Sequence, residues 1–78
     1  MAKKVIVYTT QTCPYCHFAM DFLKENNVEF EAIDVSKDHD AARRMVEKSG
    51  QMGVPVIEVD GEMIIGFDKE RLKQLLNL

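Results

Sequence analysis

Two cysteines separated by two residues are the part of this 78-residue sequence best suited to chemistry. They form the motif Cys13-Pro14-Tyr15-Cys16. A disulfide across so short a loop removes little entropy from the unfolded chain, so stability does not explain the pair. Closely spaced thiols suit thiol–disulfide exchange, because one thiolate attacks a disulfide and the second thiol resolves the mixed disulfide that forms. We therefore predict Cys13 as the nucleophile and Cys16 as the resolving thiol.

The position of the motif supports this division of roles. Pro14 opens an amphipathic pattern, so Cys13 stands at the start of a helix, where unpaired N–H groups favour an anion. Cysteines in such positions have pKa values lowered from about 8.5 to roughly 3.5–7.5. Cys16 lies one turn inside the helix, which predicts a more buried sulfur within reach of Cys13.

Other interpretations of the cysteines stay open. A structural zinc site needs about four ligands, and the sequence offers the two cysteines, His17 and the remote His39, with no second Cys-x-x-Cys. His17 could act as a catalytic base, although a histidine beside a helix-start cysteine is more often a solvated residue of the first turn. The two cysteines could also have no role. We expect no metal ligands and no tightly bound cofactor.

Composition and charge exclude several classes of protein. With 46% hydrophobic and 29% charged residues, the chain is too apolar to be disordered and too charged to be a membrane protein. The net charge is -3, and the sequence contains no run of basic residues that could bind the phosphates of a nucleic acid. The apolar run near the N-terminus is too short for a signal peptide. We expect one domain over residues 1–78, cytoplasmic and monomeric, with no nucleic-acid or membrane partner.

The elements that must position the cysteines follow from the hydrophobic pattern. Residues 5–8 are a β-branched apolar run typical of a buried central strand, and residues 9–12 form a polar connection. After Pro14 the period becomes that of a helix, which ends near Asn26-Asn27. Tyr15, between the cysteines, is expected to be partly exposed. Five apolar residues define the predicted inner face of this helix: Tyr15, Phe18, Ala19, Phe22 and Leu23.

A second strand and a second helix follow. Residues 30–35 predict a strand parallel to the first, since a strand, helix and strand in such close succession imply a right-handed crossover. Residues 38–48 predict a helix that stops at Gly50. Its inward residues are predicted to be Ala41, Ala42, Met45 and Val46.

The C-terminal third predicts a hairpin and a last helix. Residues 56–59 and 63–65 flank Asp60-Gly61, a strong signal for a two-residue turn between antiparallel strands. Asp68 is placed to cap a helix, with Phe67 before the cap as a hydrophobic staple. The predicted order of elements is βαβαββα, and the core residues of the last helix are Leu72, Leu75 and Leu76.

Residues 5–8, the Cys13-Pro14-Tyr15-Cys16 motif and Gly53-Val54-Pro55 together resemble a glutaredoxin over nearly the whole chain. The resemblance implies the α/β thioredoxin fold, with a four-stranded mixed sheet in the order 2-1-3-4 flanked by three helices. It also implies a cis peptide bond before Pro55. Such a bond would leave the Val54 backbone free to pair with an extended substrate.

The same resemblance implies a dithiol thiol–disulfide oxidoreductase that reduces protein or mixed disulfides, with glutathione or thioredoxin reductase as the electron source. Gly66-Phe67 resembles a stretch in the glutaredoxin-like hydrogen donors of ribonucleotide reductase, which are recharged by thioredoxin reductase. Ribonucleotide reductase is therefore a candidate partner. The resemblance assigns substrate or glutathione binding to Pro14, Tyr15, Gly53, Val54, Pro55, Gly66, Phe67 and Asp68.

Three departures from the family pattern predict weak use of glutathione. Thr10 stands where glutaredoxins usually carry lysine, and Gly53 where they usually carry threonine. Of the usual Gly-Gly and Ser/Thr-Asp residues that bind the γ-glutamyl end of glutathione, the sequence keeps Gly66 and Asp68. Two other functions stay open: a module in which Cys13 from two chains and glutathione hold an iron–sulfur cluster, and a non-catalytic thioredoxin-fold adaptor.

Overall fold

Four strands and three helices follow one another as βαβαββα in the computed structural model, which describes residues 4–78. This order confirms the prediction from the sequence. In the described part of the chain, no helix is long and apolar enough to cross a membrane. The strands are β1 (Val5–Thr9), β2 (Glu31–Asp34), β3 (Val56–Val59) and β4 (Glu62–Ile65), and the helices are α1 (Pro14–Glu25), α2 (His39–Ser49) and α3 (Lys69–Leu76).

The strands form one mixed sheet in the order β2-β1-β3-β4, as predicted. β1 is parallel to β2, with Tyr8 opposite Ile33, and antiparallel to β3, with Tyr8 opposite Val56. β3 and β4 are antiparallel, and Asp60 and Gly61 between them both have positive φ. Two positive φ values are what this kind of tight hairpin requires, so the predicted turn is confirmed.

The two faces of the sheet build separate apolar clusters, because successive residues of a strand point to opposite sides. On one face, β1 and β3 pack against α1 and α3, whose contributions include Phe22 and Leu72. On the other face, Ile6 and Tyr8 pack against Met45 of α2. All five residues of β1 are buried, which confirms the prediction of a buried central strand.

Several boundaries differ from the prediction. Thr9, predicted to begin the connection, pairs with Asp34 as the last residue of β1. β2 covers Glu31–Asp34 rather than residues 30–35, because it lies at the edge of the sheet and pairs with β1 alone. β4 begins at Glu62, which pairs with Val59 directly after the turn.

The second and third helices agree with their predicted faces. α2 covers residues 39–49 rather than 38–48, since Asp38 has an extended backbone and caps the helix from outside. Gly50 ends it in the left-handed conformation, as predicted. Ala41 and Met45 are buried. In α3, Leu72 is buried, and Leu75, Leu76 and the staple residue Phe67 pack around the same cluster.

The predicted inner face of α1 is correct at three of its five positions. Ala19, Phe22 and Leu23 are buried, whereas Phe18 is 56% exposed. Cys16 is fully buried, so the inner face is rotated towards the cysteine and away from Phe18. Tyr15, in the first turn, is 65% exposed, which confirms the expected exposure.

Candidate active site

The cysteine pair lies at the edge of the sheet where β1, β2 and β4 end. Parallel pairing of β1 with β2, and two antiparallel steps from β1 to β4, make these three strands end together. Each of the helices α1, α2 and α3 begins shortly after one of these strand ends. Three helix N-termini, each with a partial positive charge, therefore lie at the same edge as Cys13.

Cys13 is the N-cap of α1 as well as a member of the pair. Its backbone is extended, with φ -99 and ψ 104, and its Sγ accepts a hydrogen bond from the Cys16 N–H at 3.2 Å. Pro14 follows at the first helical position, where its missing N–H has no partner to lose. Cys13 and Cys16 are joined by a disulfide, with their Cα atoms 5.3 Å apart.

The two sulfurs differ in exposure and lie in a neutral first turn. Cys16 is fully buried and Cys13 keeps 8% of its surface, which confirms the prediction that Cys16 is the deeper residue. The first turn of α1 contains no acidic residue, so no carboxylate there opposes a negative charge on Cys13. His17 is exposed, and its backbone N–H donates to the Cys13 carbonyl at 3.4 Å.

Aspartates cap the other two helix N-termini. Asp38 accepts a hydrogen bond from the Ala41 N–H at 3.0 Å, and Asp68 accepts one from the Arg71 N–H at 3.1 Å. In each case the bond joins the cap to the third helical residue, which is the relation of Cys13 to Cys16. The Cys13 sulfur thus occupies the place of a carboxylate, and an anionic sulfur is the species that this helix end stabilises best.

The loop before β3 leaves a backbone position open beside the end of β1. The Val54–Pro55 bond is cis, as the resemblance implied. Within residues 4–78, neither the N–H nor the C=O of Val54 has a hydrogen-bond partner. Upstream, the Ser49 hydroxyl accepts from the Gln51 N–H at 3.3 Å, and the Gln51 side chain donates to the Gly53 carbonyl at 3.4 Å.

The loop after β4 is tied both to the β3 loop and to α1. The Gly66 N–H donates to the Pro55 carbonyl at 2.8 Å, and its φ of 79 lies in the region that favours glycine. Phe67 packs on Phe22 with ring centroids 5.8 Å apart. Asp68 is exposed and caps α3. The fold therefore brings the predicted binding residues of three loops to one edge.

Polar groups complete this edge. Thr10, at the position where the family carries lysine, is half-buried, and its carbonyl accepts from the Thr9 hydroxyl at 3.2 Å. Asp34 ends β2, and a hydrogen bond from the Ser36 hydroxyl is the main cause that lowers its pKa. In the described residues, no group of three or more His, Cys, Asp or Glu side chains is placed to hold a metal ion.

Two exposed apolar residues, one in contact with Tyr15 and one adjacent to Gly53 in the chain, were absent from the predicted site. Phe18 meets Tyr15 edge to face, with centroids 6.1 Å apart, and Met52, beside Gly53, is 81% exposed. Helical periodicity assigned Phe18 to the core, and Met52 stands in a loop without a periodic pattern. The spacing of three residues between Tyr15 and Phe18 is the sequence signal that could have placed Phe18 near the motif.

Known proteins resemble this chain in sequence. The glutaredoxin family model matches residues 5–64. An uncharacterized glutaredoxin-like 8.6 kDa protein in the rubredoxin operon of Clostridium pasteurianum is 39% identical over 70 residues, covering 90% of this chain and 93% of that protein. Glutaredoxin 3 of Escherichia coli K12 is 41% identical over 66 residues, covering 82% of this chain and 77% of that protein.

Solved structures agree with the fold. The thioredoxin-like protein BC3987 is 42% identical, with a TM-score of 0.87 and coverage of 92% of this chain and 99% of its own. NrdH-redoxin from Escherichia coli, at 24% identity, shares the fold with a TM-score of 0.83 over 92% of this chain and 93% of its own. The predicted thioredoxin fold is thus confirmed. The family match and the identity to both relatives, together with the cysteine pair at a helix start, show that this chain belongs to the glutaredoxin family.

Proposed function

We propose that this protein is a dithiol thiol–disulfide oxidoreductase that reduces protein or mixed disulfides, with Cys13 as the nucleophile and Cys16 as the resolving thiol. The observation that carries the proposal is the Cys13 sulfur in the N-cap position of α1, accepting the Cys16 N–H. This position stabilises a thiolate, which is the reactive form of a cysteine. The protein acts as a single-domain, cytoplasmic monomer in this proposal.

The reaction consists of two exchanges at sulfur. The Cys13 thiolate attacks a substrate disulfide, a bond forms between Cys13 and one substrate sulfur, and the other substrate sulfur leaves as a thiolate that takes up a proton. Cys16 then loses its proton and attacks Cys13, which forms the Cys13–Cys16 disulfide and releases the second substrate thiol. Two electrons have passed to the substrate, and two thiol equivalents from glutathione or a reductase restore the cysteines.

Substrate recognition in this proposal uses the backbone of Val54. Its unpaired N–H and C=O can bond to an extended peptide next to the reacting disulfide, as in the addition of a strand to a sheet. Backbone pairing depends little on the substrate's side chains. Pro14, Tyr15, Gly53, Pro55, Gly66, Phe67 and Asp68 form the surrounding binding surface in this proposal, and disulfide-containing proteins, ribonucleotide reductase among them, are the partners.

Replacing each cysteine tests the mechanism. Cys13→Ser is expected to abolish reduction of insulin and of a glutathionylated peptide, because a serine hydroxyl does not replace a thiolate as nucleophile. Cys16→Ser is expected to accumulate a mixed disulfide on Cys13, detected by mass spectrometry. The matched control is His17→Asn on the exposed side of the same turn, which should keep full activity. Unchanged reduction by Cys13→Ser would refute the proposal. If the protein is instead a non-catalytic adaptor, the Cys16→Ser variant should bind its partners as well as the wild-type protein does.

The electron source is tested by restoring the family pattern. A charge-assisted hydrogen bond contributes about 1.5–3 kcal/mol, or roughly 10- to 150-fold in affinity. The double variant Thr10→Lys, Gly53→Thr is expected to raise kcat/KM with glutathione about tenfold and to leave the rate with thioredoxin reductase unchanged. The backbone at Gly53 has room for a Cβ, whose nearest neighbour is the Gln51 side chain at 3.7 Å.

Thr12→Lys is the control for this experiment, since it adds the same charge at an exposed position near Cys13. It should leave the ratio of kcat/KM with glutathione to the rate with thioredoxin reductase unchanged, because a charge beside Cys13 acts on the thiol whichever electron source is used. If the wild-type protein already uses glutathione as well as the double variant does, the departures at Thr10 and Gly53 do not weaken the glutathione site.

A further inference from the structure

A groove of about 520 Å³ lies between α1 and α3, and its lining begins at Phe18, two residues after Cys16. Phe18, Phe22 and Phe67 supply its aromatic lining. The rings of Phe22 and Phe67 are 5.8 Å apart, and Tyr15 contacts Phe18 at 6.1 Å. Since Tyr15 lies between Cys13 and Cys16, an exposed aromatic path leads from the reactive sulfurs into the groove.

Charged side chains of both signs line the groove beyond these rings. Asp21 and Glu25 come from α1, and Lys69 and Lys73 come from α3. Spacing by four residues places each pair on one side of its helix. Within residues 4–78, none of the four takes part in an ion pair. Lys69 Nζ lies 5.6 Å from the centroid of the Phe22 ring. Four charges beside an aromatic lining are thus available to a bound chain.

The distance from Cys13 to the groove matches a short stretch of extended peptide. At about 1.5 Å per helical residue, Phe18 lies about 8 Å and Phe22 about 14 Å along α1 from Cys13. An extended peptide advances about 3.3 Å per residue. A side chain about two to four residues from a cysteine bonded to Cys13 therefore reaches these rings.

We propose that the groove binds the segment next to the reacting cysteine of a protein disulfide substrate. It takes an apolar side chain about two to four residues from that cysteine, with charged residues of both signs beside it. The inference rests on the proposed function, because the bond to Cys13 fixes where the segment lies. Val54 reads the substrate backbone, whereas the groove selects among side chains, so the groove gives preference to some protein disulfides over others.

Peptide probes test the groove directly. Each synthetic peptide carries one cysteine in a mixed disulfide with thionitrobenzoate, whose release is followed by its colour. One peptide has leucine three residues from the cysteine, flanked by two glutamates; a second has two lysines instead; a third replaces the leucine by glycine. Free cysteine in the same mixed disulfide is the reference substrate, since it has no segment to bind.

Reversing the groove charges of α1 and of α3 in separate variants should change the ratio of kcat/KM for the two charged peptides in opposite directions. Lys69→Glu with Lys73→Glu should raise the ratio of kcat/KM for the lysine peptide over the glutamate peptide by about 3- to 10-fold, the effect of one or two exposed ion pairs. Asp21→Lys with Glu25→Lys should lower the same ratio by a similar factor. Both effects should vanish at 1 M salt, where the screening length is about 3 Å. Phe18→Ala should reduce the preference for leucine over glycine about fivefold.

The matched control for Lys69→Glu with Lys73→Glu is Lys24→Glu with Arg43→Glu, which lowers the net charge by the same amount at exposed positions outside the groove. It should leave the peptide ratio unchanged. Unchanged turnover of the reference substrate shows that each variant is folded.

Three results would overturn the inference. The first is that both groove variants leave the ratio of kcat/KM for the two peptides unaltered, and the second is that the variants change kcat/KM for a glutathione mixed disulfide as much as they change it for the peptides. The third is that the wild-type protein is a dimer that Phe18→Ala dissociates. The last would assign the groove to a second copy of this chain. Reference turnover that survives Cys13→Ser would instead refute the proposed function itself.

Discussion

Tyr8 carries a buried hydroxyl that forms no hydrogen bond with the described residues. The residue is fully buried in β1. Burial, followed by the negative charge of Glu58, raises the pKa of Tyr8 above its ordinary value of 10.0. A buried polar group without a partner costs about 1–3 kcal/mol, so this hydroxyl destabilises the folded protein.

Tyr8→Phe is therefore expected to raise the free energy of unfolding by about 1 kcal/mol, measured by urea unfolding at pH 7. The gain should grow above pH 10, because the unfolded wild-type chain ionises Tyr8 there while the folded chain resists ionisation. Wild-type stability then falls as pH rises, and the variant lacks this loss. Tyr15→Phe, at an exposed position, should change stability by less than about 0.5 kcal/mol. Equal stability of Tyr8→Phe and wild type would show that the hydroxyl finds a partner.

At the residue scale, the sequence predicts what depends on local order along the chain. The relative depth of Cys13 and Cys16 follows from their places at the start and one turn inside a helix. The exposure of Phe18 does not follow, because the pattern contains more apolar residues than the inner face of α1 accommodates. The unpaired hydroxyl of Tyr8 depends on neighbours from β3 and α2, which no spacing in the sequence reveals.

At the scale of elements, the sequence predicts one of the two aspartate N-caps. Asp68 was predicted as a cap from its position before an amphipathic run, and it accepts the expected hydrogen bond. Asp38 was predicted as the first residue of its helix, whereas it lies outside the helix and caps it. The predicted length of β2 was wrong, because strand ends depend on which partner is present. At the edge of the sheet, Phe30 packs on an apolar cluster and lies before the first paired residue of β2. Val35 lies after the last paired residue, although its N–H still donates to the Thr9 carbonyl at 2.9 Å.

Removing either cap should destabilise the protein by a similar amount. Asp38→Ala and Asp68→Ala are each expected to lower the free energy of unfolding by about 1 kcal/mol, since one N–H at the helix start loses its acceptor. The replacements Asp38→Asn and Asp68→Asn keep an acceptor and should retain most of the stability. Thermal or urea unfolding of the four variants checks this, and alanine variants as stable as their asparagine counterparts would contradict it.

At the scale of the whole molecule, the sequence alone predicts the order of the elements but not their assembly. The continuous apolar run of β1 indicates a central strand, and the turn at Asp60-Gly61 pairs β3 with β4. The placement of β1 between β2 and β3 came from the family resemblance. The hydrogen bond from Gly66 to Pro55, and the groove between α1 and α3, join residues distant in sequence, so periodicity contains no information about them.

The double position of Cys13, as helix cap and as reacting atom, affects the lifetime of the reaction intermediate. While its sulfur is a thiolate, the first turn of α1 has an anionic cap comparable to the aspartates of α2 and α3. Once the sulfur is bonded to a substrate it has no net charge and accepts the Cys16 N–H more weakly. The Cys13 sulfur is also neutral in the Cys13–Cys16 disulfide, where it still accepts this bond at 3.2 Å. We therefore expect the first turn to stay formed in the mixed disulfide, with Cys16 held one turn from Cys13 and in place to end the intermediate.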